Sequence, residues 1–134
     1  MTVVVDTNVV LAALDPHDEE HARALAWYDL VDEDLVTTPL AVAEMDYLVA
    51  RRSGRPGTQL LMTDLEAGAL QVRWWATAMI ETLAIARRWP ELGLTDASLL
   101  ALAPVVRTDR IATFDRRHFD APRTADGDHF TLLP

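Results

Sequence analysis

Cysteine and lysine are both absent from the sequence. Without cysteine there is no disulfide framework and no thiolate metal site, which fits a reducing compartment such as the cytoplasm. Without lysine, no ammonium is available to neutralise a carboxylate or a phosphate, so all 12 basic residues are arginines. Apolar runs long enough to span a bilayer are also missing, and no basic segment precedes the first apolar run. Neither a membrane protein nor a secretory signal is therefore expected. Positive charge is scarce overall, at a formal net charge of -9, which argues against a broad electrostatic grip on nucleic acid. The excess is local: Asp15, Asp18, Glu19, Glu20, Asp29, Asp32, Glu33 and Asp34 are opposed only by Arg23. A run of this kind reads as a solvated helix face.

What is present is a hydrophobic half of the chain in 134 residues, enough for one domain with a proper core. Val3-Val4-Val5 reads as a short strand buried on both faces, as in the middle of a parallel sheet. Further short strands are expected at 35–37, 70–72, 110–113 and, at an edge, 131–133. Helices are expected at 9–14, at 18–31 with Asp18 as cap, and at 39–52 behind Thr38-Pro39. Others follow at 58–67, at 76–89, and at 95–103 with Thr95 as cap. Strands alternating with helices predict right-handed crossovers and a three-layer α/β/α domain over residues 1–134, with a mostly parallel sheet of four to five strands.

Four acids occupy positions that converge under this architecture. Asp6 and Asp115 stand just past the carboxyl ends of predicted strands, where open α/β sheets bind ligands. Asp96 opens the helix that leads into the fourth strand. Glu44 shares a helical face with Leu40, Tyr47, Leu48 and Arg51, on or beside an apolar stripe. Each has a plainer reading as a cap, a turn former or a surface charge paired to Arg51 or Arg52. Together they are harder to explain that way. Two carboxylates 4 Å apart repel by about 4 kcal/mol at an effective dielectric of 20. With no lysine at hand, a hard divalent cation such as Mg²⁺ or Mn²⁺ is the natural partner.

The residues Asp6-Thr7-Asn8, Pro39-Leu40-Ala41-Val42-Ala43-Glu44, Thr95-Asp96-Ala97 and Thr113-Phe114-Asp115 with Phe119 resemble the motifs of PIN-domain ribonucleases. The length and the Phe130–Pro134 ending are similar to VapC toxins of bacterial toxin–antitoxin operons. The resemblance implies a Mg²⁺- or Mn²⁺-dependent endoribonuclease in which Asp6, Glu44, Asp96 and Asp115 hold the metal. It implies Thr7, Asn8 and Thr113 as residues that orient carboxylates or waters from behind. It further implies an RNA substrate, often tRNA or ribosomal RNA, a homodimer and a silencing VapB-type antitoxin. The acidity of the chain departs from what gripping RNA demands, and Arg51, Arg52, Arg55, Arg116 and Arg117 are the candidates for phosphate contacts. A catalytically silent PIN-like binding module and a nuclease acting on DNA are the alternatives. A receiver domain or an aspartate-nucleophile phosphatase would want a lysine that this chain lacks. His17 and His21 read as solvated rather than as a zinc pair, Trp74-Trp75 as core or dimer contacts rather than base-stacking rings, and His118 and His129 as residues without evident partners.

Overall fold

The computed structural model describes residues 1–134. Five strands form one sheet in the order β3-β2-β1-β4-β5, and every neighbouring pair is parallel. They are β1 (Thr2–Val5), β2 (Asp34–Thr37), β3 (Gln71–Val72), β4 (Arg110–Ala112) and β5 (Thr131–Leu133). The helices are α1 (Thr7–Leu14), α2 (His21–Leu30), α3 (Pro39–Ala67), α4 (Ala78–Arg88), α5 (Leu94–Val105) and α6 (Arg116–Asp120). α1 packs on α2 and α3, α4 packs on α5, and the whole is a three-layer α/β/α arrangement around the sheet.

The central position of β1 follows from its composition. Val3, Val4 and Val5 are fully buried, and β-branched side chains suit a strand covered on both faces. Val3 pairs in register with Leu35 of β2, and Val4 with Ile111 of β4. Each such valine contributes about 1.5–3 kcal/mol on burial, so one charge introduced at Val4 would break the sheet's centre. The core extends through Met45, Leu99, Leu102 and Phe119.

Several boundaries differ from expectation, each for a local reason. α2 begins at His21, not near Asp18, because the Asp18 side chain closes a tight turn on the Glu20 N–H (2.8 Å). α5 starts behind Gly93, so Thr95 lies inside the helix and its carbonyl accepts from the Ser98 hydroxyl (2.7 Å). Pro104 falls in the last turn of that helix and does not end it. Two helical stretches flank residue 54, as expected: α3 carries both and breaks between them at Gly54, which stands at φ 58° and ψ -154°. That conformation is open to glycine and strained for residues with a Cβ. Three residues on, a Cβ on Gly57 would stand 2.8 Å from Val49 Cγ1, so the close approach there also requires glycine. Thr38 caps α3 by accepting from the Ala41 N–H, with Pro39 at the first helical position, as the sequence predicts. The stripe that α3 buries is Ala41, Met45 and Val49, while Tyr47 and Arg51 are exposed. α6 is too short to be signalled by periodicity.

The topology fixes where the site lies. β1 and β4 are neighbours, and the ladder between them continues one step as the Asp6 N–H donates to the Ala112 carbonyl (2.9 Å). On the other side of β4, the Thr113 N–H donates to the Leu133 carbonyl (2.7 Å). The residues following β1 and β4 are thereby set side by side at the carboxyl edge of the sheet.

Candidate active site

Asp6 ends β1 and caps α1, its Oδ1 accepting from the Thr7 N–H at 2.7 Å. A capping aspartate is ordinary helix chemistry. Its burial is not: Asp6 is only 4% exposed, and no cation pairs with it. Its second oxygen, Oδ2, accepts from the Thr113 hydroxyl (2.8 Å) and from Asn8 Nδ2 (3.2 Å). Asn8 Nδ2 also reaches Thr113 Oγ1 (3.3 Å), and Asn8 Oδ1 accepts from the Phe114 N–H (3.0 Å). Thr113 Oγ1 accepts in turn from the Asp115 N–H at 3.0 Å. The turn after β4 is thus tied to the turn after β1 through one hydroxyl and one amide. Thr7 takes part through its backbone only, and its own hydroxyl is buried without a partner.

Burial pushes the Asp6 carboxyl up from its ordinary 3.8 to about 7. The hydrogen bonds from Thr113 and Thr7 pull the other way, while the charges of Asp96 and Glu44 add to the rise. Asp96, in the first turn of α5, is also raised, first by its own burial. His118 opposes that rise by charge and hydrogen bond, and Glu44 and Asp115 reinforce it. Asp6, Glu44 and Asp115 are therefore each within electrostatic reach of Asp96, across two helices and two turns.

Glu44 is exposed on the second turn of α3 and pairs with neither Arg51 nor Arg52. Arg52 is engaged by Asp18 at 3.2 Å, and Arg51 donates to the Tyr47 hydroxyl. Asp115 caps α6 weakly, accepting from the His118 N–H at 3.4 Å.

His118, expected to be without partners, is a member of this cluster. Its Nδ1 lies 3.0 Å from Asp96 Oδ2 and 3.0 Å from Asp115 Oδ2. Nδ1 is hydrogen-bonded to Asp96, and the Asp115 carboxylate stands at the same distance from it, so the ring sits between the two acids. The spacing Asp115–His118, one turn of a five-residue helix, was the available signal, but only the docking of α5 supplies the second carboxylate. The other histidines stay outside: His21 contacts the Ala12 carbonyl at 2.7 Å, and His129 lies in a bridge with Arg123. Trp75 is half-buried against the core, and Trp74 is largely exposed.

No three of the His, Asp and Glu side chains stand in position to hold an ion as they are. In kind, the set suits a hard divalent cation: carboxylate oxygens, an acid raised by its burial and further by its neighbours, and no arginine paired to any of them. Exposed Glu44 has the rotamer freedom to close such a group.

Three comparisons bear on this arrangement. The PIN domain family model matches residues 3–124. The chain is 36% identical over 135 residues to Ribonuclease VapC26 of Mycobacterium tuberculosis, covering 98% of this chain and all of that protein. In structure it is similar to Mycobacterium tuberculosis VapC20, described as a Sarcin-Ricin loop cleaving toxin, with a TM-score of 0.79, 18% identity and coverage of 87% and 92% of the two chains. It is also similar to a toxin-antitoxin complex from Klebsiella pneumoniae, at a TM-score of 0.65, 16% identity and coverage of 98% and 96%.

Proposed function

The chain belongs to the PIN-domain family, and on that premise we propose that it is a metal-dependent endoribonuclease toxin of the VapC type. The observation that carries this reading is the Asp6 carboxyl, free of any cation and raised first by its burial and further by Asp96 and Glu44. The 36% identity over nearly the whole chain to a ribonuclease supports RNA as the substrate class, with tRNA or ribosomal RNA as the expected targets. A VapB-type antitoxin as silencing partner and a homodimer as the working assembly belong to the same reading. The likeness to a toxin-antitoxin complex supports the antitoxin.

Asp6, Glu44, Asp96 and Asp115 would hold Mg²⁺ or Mn²⁺. A divalent ion bound there supplies a more acidic water for attack on the phosphodiester and neutralises charge on the transferring phosphoryl group. The chain's own residues do the positioning. Thr113 and Asn8 hold Asp6 Oδ2 by two hydrogen bonds, so one carboxylate edge is fixed before substrate arrives. His118 joins Asp96 to Asp115 and offsets their mutual repulsion. Fixing the acids beforehand lowers the reorganisation needed when charge develops in the transition state.

The test is cleavage of total bacterial RNA by purified protein with Mn²⁺, with EDTA, and by the Asp96→Asn variant, alongside a DNA substrate. Discrete RNA fragments that need both the metal and Asp96 are the expected result. Cleavage of DNA alone, or metal-independent cleavage, would overturn it.

A further inference from the structure

An acidic nuclease must still hold a polyanion, and the geometry points to where. Beside the acid cluster lies an open groove of about 390 Å³ lined by Asn8, Phe114, Asp115, Arg116 and Arg117. Asn8 and Asp115 belong to the hydrogen-bonded network around Asp6 and Thr113, so the groove begins where the carboxylates end. Resting on the ribonuclease reading above, we propose that this groove seats the RNA backbone. Arg116 and Arg117 act there as positioning residues on the phosphates that flank the cut.

The arginines of this chain differ in what occupies them. Arg23, Arg52 and Arg110 each pair with an acid, Glu20, Asp18 and Glu33 respectively. Arg116 and Arg117 are exposed and pair with none. Arg116 makes a single long hydrogen bond to the Pro134 carbonyl (3.4 Å), and Arg117 makes no hydrogen bond. Asp115, adjacent in sequence, is engaged by His118 and takes neither guanidinium. The two guanidiniums are therefore uncommitted beside a set of acids that would otherwise repel RNA. Guanidinium offers paired N–H donors in the geometry of a phosphate, and it stays charged at every working pH. Arg23 strengthens the rim: it lies 5.5 Å over the Phe114 ring and donates to the Pro134 carbonyl at 2.8 Å. Arg52, another candidate for phosphate contact, lines a separate cleft with His17, Ser53 and Pro56.

The experiment measures binding and turnover separately. A fluorescein-labelled single-stranded RNA oligonucleotide is titrated into the Asp96→Asn protein with and without Arg116→Ala/Arg117→Ala, at several salt concentrations, and followed by anisotropy. The double alanine variant should bind at least tenfold more weakly, and its slope of log K against log salt should be shallower by about 1.4, two phosphates' worth for a single strand. Arg116→Lys/Arg117→Lys should restore most of that slope. In the otherwise wild-type protein, the loss should appear in KM more than in kcat. Unchanged affinity and slope in the double alanine variant would overturn the proposal, as would a loss confined to kcat. Equal loss in the lysine variant with a lowered melting temperature would mark a folding effect, and would overturn it too. If the wild type cleaves no RNA, the ribonuclease reading fails on its own ground. If it cleaves and the arginine variants behave as their parent, only this inference fails.

Discussion

The acids between Asp15 and Asp34 and the acids at the carboxyl edge of the sheet are chemically alike and structurally opposed. In the first region every charge but one is diluted by water or cancelled by arginine; the exception is Asp15, buried and accepting from the His17 N–H at 3.0 Å. Glu19, Asp29, Asp32 and Asp34 are exposed, and Asp18, Glu20 and Glu33 each meet a guanidinium. In the second region, fewer acids are held with less water and no arginine partner. Asp6 is buried, and its charge is opposed by Asp96 and Glu44. What separates the proposed site from a solvated face is thus the gathering of several acids around one buried carboxyl, with a single histidine and no arginine among them. The count of carboxylates, higher in the first region, does not decide it.

Neutralising one acid in each region is the sharpest way to break this comparison. Asp96→Asn should lower RNA cleavage by a factor on the order of 10²–10³, with the fold retained, because it removes charge at the reacting centre. Asp29→Asn should leave the rate within about twofold, since a solvated charge far from the acids does no chemistry. A gel assay on the same RNA pool compares them, and an Asp96→Asn protein that cleaves at the wild-type rate would sink the assignment of Asp96.

Stability against pH is the next test. With its carboxyl raised from 3.8 to about 7, Asp6 favours the native state when neutral. That contribution is complete below about pH 4 and is lost as pH rises through 7, where the buried group must ionise. In metal-free protein, stability should therefore fall more steeply between pH 5 and 8 in the wild type than in Asp6→Asn, by on the order of a few kcal/mol, read as a steeper drop in melting temperature. Parallel curves would show that Asp6 is not the strained acid described here.

Divalent metal should then reverse that strain. Mn²⁺ at a hundredfold excess over its dissociation constant adds about 2.7 kcal/mol by mass action, read as a rise in melting temperature. The rise should vanish in Asp6→Asn and persist in Asp29→Asn. The smallest effect belongs to the solvated face. Removing the Asp18–Arg52 pair with Arg52→Ala should cost no more than about 1 kcal/mol and should not alter metal binding.

Much of this contrast was legible in the residues themselves. Val3-Val4-Val5 announced a buried central strand, and the alternation that followed predicted an all but parallel sheet, which is what β1 to β5 form. Asp6, Asp96 and Asp115 drew attention as acids at strand ends and at a helix start. The remainder was illegible for reasons of scale and distance. α6 is only five residues long, less than any periodic pattern needs. His118 contacts Asp96 across 22 positions of sequence, which spacing cannot signal. The apolar stripe of α3 runs through Ala41, Met45 and Val49 at four-residue spacing, and Tyr47 lies off it. Nor does a sequence tell which arginines find partners, so Arg52 and Arg117 looked alike until Asp18 was seen to engage the first.

Thr113 lies more than a hundred positions after the two residues it joins, Asp6 at 107 and Asn8 at 105. Its backbone is held in turn by Leu133 of the last strand. A contact of that span forms only after the intervening chain exists and has collapsed. During synthesis at about 5–20 residues per second, β1 and its acid are made first, with only Thr7 and Asn8 beside it, and must wait for β4 before Thr113 can hold it. A nascent or truncated chain lacking β4 carries Asp6 but no ordered cluster. The chemistry of this protein is thereby withheld until the domain is almost wholly made, a delay written into the strand order itself.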